Sequence, residues 1–288
     1  MLTRLGILLM RALALLPLSW LRGIGAGIAS VLYLAIPKRR KIALANLGLC
    51  FPELPEAQRI DLAKQHFRVF AQTFLDRAWL WHASPDVTRR RLKLVGDVAQ
   101  FEGNAPIVIF APHFLGLDAG ATALSQQVAR NFDTIFTEQT NKVADAWIAR
   151  GRQRFGNARL LRKSSGVKSI VAAIRRGEPL YLLPDMDFGP AESVFVPFFG
   201  VPTATVPSLS RFTRLGRAKV VPVTARMTDE GYEVTVHPAW EDFPSADPVA
   251  DTALMNRRLQ EWIEQMPAQY YWVHKRFKTR PAGEPSVY

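Results

Sequence analysis

A histidine and an aspartate five positions apart could do acid–base chemistry in this chain. His113 follows the apolar run 107–111, which predicts a buried strand, and Asp118 falls in the first turn of the next predicted helix. Ligands of open α/β sheets collect outside the carboxyl ends of strands, so this position suits a site. A carboxylate bonded to one imidazole nitrogen stabilises the cation that forms when the other nitrogen takes a proton. The pair would therefore act as a general base toward an alcohol.

The spacing alone leaves a simpler alternative open, in which His113 is a loop residue beside an aspartate that only begins a helix. No serine, cysteine or lysine nearby is obviously paired with His113 as a nucleophile. If the histidine is catalytic, we expect direct proton abstraction from the substrate, without a covalent enzyme intermediate.

Three further segments could contribute to a site. An acid-free basic cluster suits phosphate or carboxylate recognition, or forms a solvated helix face; its members are Arg150, Arg152, Arg154, Arg159, Arg162 and Lys163. Asp185 and Asp187 could bind a metal ion, but no other ligands cluster near them, so we expect no metal. The aromatic run 194–200 either packs in the core or lines a slot for an acyl chain.

The elements that must position these residues alternate between β-rich runs and helical stretches. This alternation predicts an α/β fold with a mostly parallel central sheet flanked by helices. The predicted strands are 92–95, 107–111, 134–136, 180–183, 220–223 and 232–236. The predicted helices are 55–81, 117–129, 142–155, 167–176, 206–215 and 252–265.

The N-terminal segment has the composition of a membrane anchor. Residues 1–52 carry seven basic residues and no acid, and an apolar stretch leads into the basic cluster 38–41. A cleaved signal peptide, a membrane-spanning helix in which Arg22 snorkels, and a helix lying in the interface remain open. If the helix spans, the basic cluster predicts a cytoplasmic location for the rest of the chain. We therefore expect an anchor over 1–44 and a catalytic domain over 45–288.

The overall charge restricts the partners of the protein. The chain has 37 Lys+Arg against 25 Asp+Glu, a net charge of +12, which indicates an anionic partner. One cysteine among 288 residues excludes a disulfide framework. The segment 269–280 interleaves aromatic and basic residues, as membrane interfaces and nucleic-acid surfaces do, but no nucleic-acid-binding motif accompanies it.

Several segments taken together resemble the late acyltransferases of lipid A biosynthesis, the lauroyl/myristoyl (lauroyl-type Kdo-lipid IVA) acyltransferase family. The resemblance runs nearly end to end, and its motifs follow one another in order. They are Asn46-Leu-Gly-Leu-Cys-Phe-Pro52, His113 with Asp118, Gly151-Arg152, Pro184-Asp-Met-Asp-Phe-Gly189, Ser193-Val-Phe-Val-Pro-Phe-Phe-Gly200 and Trp272-Val-His-Lys-Arg-Phe-Lys-Thr-Arg-Pro281. Many relatives carry Glu at the position of Asp118, which is one methylene shorter.

The resemblance implies a glycerolipid-acyltransferase-like fold and an inner-membrane enzyme with its catalytic domain on the cytoplasmic face. It implies acyl transfer from acyl carrier protein to a hydroxyl on a 3-hydroxyacyl chain of an anionic, Kdo-bearing lipid A precursor, without a cofactor or nucleic acid. His113 would be the base, and Asp118 would orient it. Arg152 would bind lipid phosphate or the developing oxyanion, with Arg150, Arg154 and Asp185 as further substrate-binding candidates. The same chemistry on a lysophospholipid, glycolipid or aminolipid is the alternative.

Overall fold

A seven-stranded sheet forms the centre of the fold in the computed structural model, which describes residues 1–162 and 166–288. The strands are β1 (Leu92–Gly96), β2 (Ile107–Phe110), β3 (Phe132–Phe136), β4 (Ala158–Arg162), β5 (Leu180–Leu182), β6 (Val194–Phe198), β7 (Val201–Thr205), β8 (Lys219–Thr228) and β9 (Gly231–Val236). The order across the sheet is β1-β9-β8-β2-β5-β3-β4, and β6 pairs with β7 in a separate hairpin. Neighbouring strands of the large sheet run parallel except β8 and β9.

Helices cover both faces of this sheet. They are α1 (Leu2–Leu13), α2 (Leu18–Ala35), α3 (Pro37–Cys50), α4 (Glu56–His82), α5 (Pro85–Arg91), α6 (Leu117–Gln127), α7 (Lys142–Arg152), α8 (Gly166–Arg175), α9 (Ser208–Gly216) and α10 (Pro248–Gln265). Strand β2 separates two apolar cores, because successive side chains of a strand point to opposite faces. Val108 and Phe110 pack into one core, and Ile107 and Ile109 pack into the other.

The predicted α/β class and mostly parallel sheet are confirmed. All six predicted strands and all six predicted helices are present, with ends that differ by a few residues. Sequence reasoning missed β4, β6 and β7. Strand β4 is an edge strand within the basic cluster, so it lacks the apolar run of a central strand. The aromatic run 194–200 forms β6 and its turn, with Phe198 fully buried in the core.

The N-terminal segment consists of two helices, α1 and α2, followed directly by α3. Among the described residues, α2 is the one helix long and apolar enough to cross a membrane by length and composition, and 22% of it is buried. Helix α3 runs across the predicted boundary at residue 44 and packs its Ala43 and Leu47 into the core.

Candidate active site

His113 and Asp185 meet at the carboxyl edge of the sheet. His113 follows β2 and Asp185 follows β5, and these two strands are parallel neighbours in which Phe110 lies opposite Leu182. The backbone N–H of His113 donates to Asp185 Oδ2 at 3.0 Å, and His113 Nδ1 lies 2.7 Å from Asp185 Oδ1. Two contacts to one carboxylate fix both the loop and the imidazole ring.

The environment of Asp185 keeps this carboxylate ionised. Asp185 is fully buried and accepts a hydrogen bond from the Tyr270 hydroxyl at 3.1 Å. Burial raises the pKa of Asp185, but the charge of His113, its two hydrogen bonds and the buried Arg276 guanidinium together hold that pKa below its ordinary value. The His113 side chain is 19% exposed. Among residues 1–162 and 166–288, no hydrogen bond occupies its Nε2, which can therefore receive a proton from a substrate.

The C-terminal segment after α10 holds the His113 loop from the other side. Tyr271 donates its backbone N–H to the carbonyl of His113 at 3.0 Å, and its ring stacks near the imidazole with centroids 6.5 Å apart. Burial, together with the charges of Arg276 and His113, lowers the pKa of His274 to about 4. His274 is therefore neutral at pH 7.

Asp118 has other partners than the sequence led us to expect. Its Oδ2 accepts from Arg77 Nε at 2.8 Å and its Oδ1 from Arg152 Nε at 3.0 Å. Burial raises the pKa of Asp118, but the charges of Arg152 and Arg77 and their hydrogen bonds outweigh it and lower that pKa to about 2. The predicted bond between Asp118 and the imidazole is therefore corrected: Asp185 orients His113, because Asp118 at the start of α6 faces the arginines of α4 and α7.

Gly151 explains how Arg152 reaches Asp118. A Cβ atom at Gly151 would lie 2.3 Å from Cδ2 of Trp81, so only glycine lets α7 pack this closely against α4. Trp81 and Trp147 pack edge to face beside this contact, with ring centroids 4.5 Å apart. The Gly151-Arg152 pair thus combines a close helix contact with the guanidinium that the contact positions.

Two cavities share Arg152 as a lining residue. One, of about 80 Å³, is mostly apolar and lies between α6 and strands β3–β5, and Asp118 and Arg152 also line it. Its apolar lining is Leu117, Ala121, Leu124, Phe132, Ile135, Ala158, Leu160 and Leu183. The other cavity, of about 230 Å³, is polar and is lined by Arg77 and Arg152 together with Asp145, Gln139 and Thr137.

The remaining candidates bond to partners other than His113. Arg150 is exposed and donates to the Ala146 carbonyl of its own helix. Arg154 donates to the carbonyls of Leu80 and Ala83 at the end of α4, a structural role. The Asp187 carboxylate accepts from the backbone N–H groups of Gly189 and Thr279 and from the Thr279 hydroxyl. Arg159 pairs with Asp133 and Glu178, and Lys163 lies outside the described residues.

Sequence reasoning missed Arg77 and Tyr270, which contact Asp118 and Asp185 directly. Arg77 lies within a helix whose aromatic residues dominated the pattern, and Tyr270 belongs to a segment whose composition indicated a surface. The available signal for Asp185 was its position just after a short apolar strand, as for His113.

Comparison with known proteins finds matches over most of the chain. Residues 1–279 match the family model for bacterial lipid A biosynthesis acyltransferases. The chain is 32% identical to a lipid A biosynthesis lauroyltransferase of Escherichia coli, over 100% of this chain and 94% of that protein. It is 31% identical to an Escherichia coli lipid A biosynthesis palmitoleoyltransferase, over 95% of this chain and 90% of the relative. It is also 32% identical to a Haemophilus influenzae lipid A biosynthesis acyltransferase, over 86% and 78%. The chain therefore belongs to the bacterial lipid A biosynthesis acyltransferase family and is an acyl-transferring enzyme.

Proposed function

We propose that this enzyme transfers a fatty acyl chain from acyl carrier protein to a hydroxyl on a 3-hydroxyacyl chain of a Kdo-bearing lipid A precursor. The observation that carries the proposal is the His113–Asp185 pair, which leaves Nε2 free at the carboxyl edge of the sheet. The names of the relatives supply the class of acceptor. The net charge of +12 would favour encounter with an acidic carrier protein and an anionic lipid.

In the proposed mechanism, His113 Nε2 takes the proton of the acceptor hydroxyl as its oxygen attacks the thioester carbonyl. Asp185 stabilises the imidazolium through Nδ1. The tetrahedral intermediate collapses, the C–S bond breaks, and the proton on Nε2 passes to the leaving thiolate. General-base assistance of this kind contributes about 10²–10⁴-fold in rate.

The amino terminus of α6 would stabilise the developing oxyanion. This helix begins at Leu117, four residues after His113, and no side chain caps its first amide groups. Unpaired N–H groups and the helix dipole favour negative charge at such an end. Arg152 would act at greater distance by binding a phosphate of a substrate. The apolar cavity beside α6, of about 80 Å³, would hold the end of an acyl chain.

The proposed setting is the cytoplasmic face of the bacterial inner membrane. The exposed apolar side chains of α1 and α2 and the basic residues that flank them support membrane attachment. Acyl carrier protein is a cytoplasmic protein, so a donor of that kind requires the site to face the cytoplasm.

The test is mass spectrometry of lipid A from a strain that lacks the protein, complemented with wild type or with His113→Ala. We expect the deletion to remove one acyl chain, wild type to restore it, and His113→Ala to fail at equal protein level in the membrane. Unchanged lipid A in the deletion strain, with loss of a chain from another lipid, would redirect the proposal to that acceptor.

A further inference from the structure

Arg77 and Arg152 form a pair of guanidinium groups around one carboxylate. Each donates its Nε to Asp118, and both side chains are 29% exposed. Among the described residues, no hydrogen bond occupies the Nη groups of either arginine, and both side chains line the polar cavity. Two positive charges against one negative charge leave this cluster with a charge of +1, since Asp118 is ionised.

The position of Arg77 is fixed more firmly than that of a surface arginine. Its guanidinium carbon lies 5.3 Å from the centroid of the Phe74 ring and 5.5 Å from that of Trp81. Aromatic contacts and the Asp118 bond hold the planar group, so little conformational entropy is lost when its Nη atoms bind a ligand. Asp145 also lines this cavity and adds one negative charge there; its Oδ1 accepts a hydrogen bond from the backbone N–H of Gln139 at 2.8 Å.

We propose that Arg77 and Arg152 together bind a phosphate ester of a substrate in the polar cavity, with Asp118 positioning both guanidinium groups. Paired guanidinium groups match the tetrahedral oxygens of a phosphate, and each still offers the four N–H donors of its two Nη atoms. The inference rests on the proposed function for the identity of the phosphate. It could belong to the lipid acceptor or to the prosthetic arm of the acyl carrier, and kinetics distinguish the two.

The variant Arg77→Met keeps a long side chain against Phe74 and Trp81 and removes the donors. We expect KM to rise about 10- to 100-fold, the loss of one or two charge-assisted hydrogen bonds, with kcat changed less than threefold. Arg77→Lys should fall between wild type and Arg77→Met. Arg257→Met, which removes one exposed charge on α10, is the matched control and should leave KM unchanged.

The substrate whose KM rises identifies the source of the phosphate. If Arg77→Met raises KM for the lipid acceptor, and does not do so when the lipid is dephosphorylated, the phosphate belongs to the acceptor. If it raises KM for the acyl donor, the phosphate belongs to the carrier arm. The inference would be overturned if Arg77→Met left KM unchanged for both the lipid and the acyl donor. It would also be overturned if KM rose equally for phosphorylated and dephosphorylated lipid while KM for the donor stayed unchanged. If the wild-type enzyme does not acylate the lipid A precursor, the proposed function fails. Binding of bisphosphorylated and dephosphorylated lipid A micelles to wild type and Arg77→Met then tests the site alone.

A second inference concerns how the N-terminal helices meet the membrane. Helix α2 lies antiparallel along α4, with Arg22 bonded to Asp76 at 3.1 Å and the Tyr33 ring 5.3 Å from that of Phe67. Between these contacts, a Cβ atom at Gly25 would lie 2.9 Å from Gln72. Eleven residues from Arg22 to Tyr33 correspond to about 16 Å of helix, which is half of a hydrocarbon core.

Arg22 also ties α2 to the central sheet. Its guanidinium donates to the carbonyl of Gly231 at 2.9 Å and to that of Thr228, at the turn between β8 and β9. If α2 crossed a bilayer with these contacts intact, the polar residues of α4 and this turn would enter hydrocarbon, where charged groups are strongly disfavoured. Detachment would instead leave the buried Asp76 without its arginine.

The outer faces of α1 and α2 carry the side chains that a lipid surface would take. The exposed apolar side chains are Leu2, Leu5, Leu8, Leu9, Trp20, Ile24, Ile28, Val31 and Leu34. Exposed Arg4, Arg11, Lys38 and Lys41 flank them, and residues 1–52 contain no acid. Apolar residues flanked only by basic ones match the interface of an anionic membrane. The geometry points to α1 and α2 as an interfacial platform that binds one leaflet of an anionic membrane without crossing it.

Cysteine labelling tests the topology, because the native Cys50 is buried. One variant carries a Cys in a short polar tag ahead of Met1, and the reference variant is Glu264→Cys, exposed on α10. An impermeant maleimide is applied to spheroplasts and to inverted membrane vesicles. We expect both cysteines to react in the same preparation, and labelling from opposite sides would overturn the inference.

Vesicle binding tests the lipid contact separately. Ile24 and Ile28 are 42% and 40% exposed, so replacing each with Gln should weaken binding to vesicles containing anionic lipid about fivefold, and about 25-fold together. Val249→Gln, at an exposed apolar position on α10, is the matched control. Equal binding of the double variant and wild type would contradict the proposed surface.

Discussion

Replacing Asp185 with Asn tests whether this residue, rather than Asp118, orients His113, the proposed catalytic base. The amide is the same size as the carboxylate, so the loop after β5 should keep its shape. It cannot supply the negative charge that lies 2.7 Å from His113 Nδ1. The imidazolium formed in the proposed transfer would then lose its counter-charge.

The expected cost follows from that loss. We expect kcat to fall about 10²–10⁴-fold, or about 3–5 kcal/mol in the activation free energy, with KM changed little. Asp118→Asn should behave differently, because it releases Arg77 and Arg152 while the His113–Asp185 pair remains. For that variant we expect a rise in KM and a loss of about 2 kcal/mol in the free energy of unfolding.

Asp187→Asn is the matched control for Asp185→Asn. It changes a buried carboxylate two residues away that bonds Gly189 and Thr279 but not His113. Acyl transfer measured with purified protein, together with urea unfolding, separates a catalytic loss from a folding loss. If Asp185→Asn keeps kcat within threefold of wild type while Asp118→Asn loses a hundredfold, Asp118 is the carboxylate that supports His113 and our assignment is wrong.

Three other predictions concern packing, chain length and pH. In Gly151→Ala the new Cβ would meet the Trp81 indole, so α7 must shift; urea unfolding should show a loss of about 1–3 kcal/mol, and KM should rise because Arg152 moves. Unchanged values for both would show that the contact relaxes freely. In Ala121→Phe a ring enters the apolar cavity beside α6, so competition between acyl donors should shift toward shorter chains; an unchanged preference would place the acyl chain elsewhere. Burial lowers the pKa of His66 to about 4 from 6.5. The contribution of the neutral, buried imidazole to the free energy of unfolding is therefore complete above pH 6.5 and is lost as the pH falls through 4. His66 should account for about 3 kcal/mol of lost stability over this range, and urea titrations of His66→Gln should show a correspondingly flatter dependence.

The sequence was sufficient for the fold class and for the position of His113, because these depend on local patterns. Alternating strands and helices predicted the sheet, and the apolar run before His113 placed it at a strand end. The partner of His113 could not be predicted this way. Asp185 lies 72 residues after His113 in the sequence and reaches the imidazole only because β5 pairs with β2. Strand order is a property of the whole sheet and leaves no local signal.

Asp185 and Asp118 therefore have separate roles, whereas the sequence analysis gave the role of orienting His113 to Asp118. A carboxylate bonded to two guanidinium groups has its charge already compensated and can do little for an imidazolium, whereas Asp185 contacts the imidazole of His113 directly. The four residues between His113 and Asp118 lead from the end of β2 into α6. The spacing therefore connects the His113–Asp185 pair to the two arginines that bind Asp118. A spacing of this kind reflects the length of a turn between two half-sites, and it need not mean that its two end residues touch.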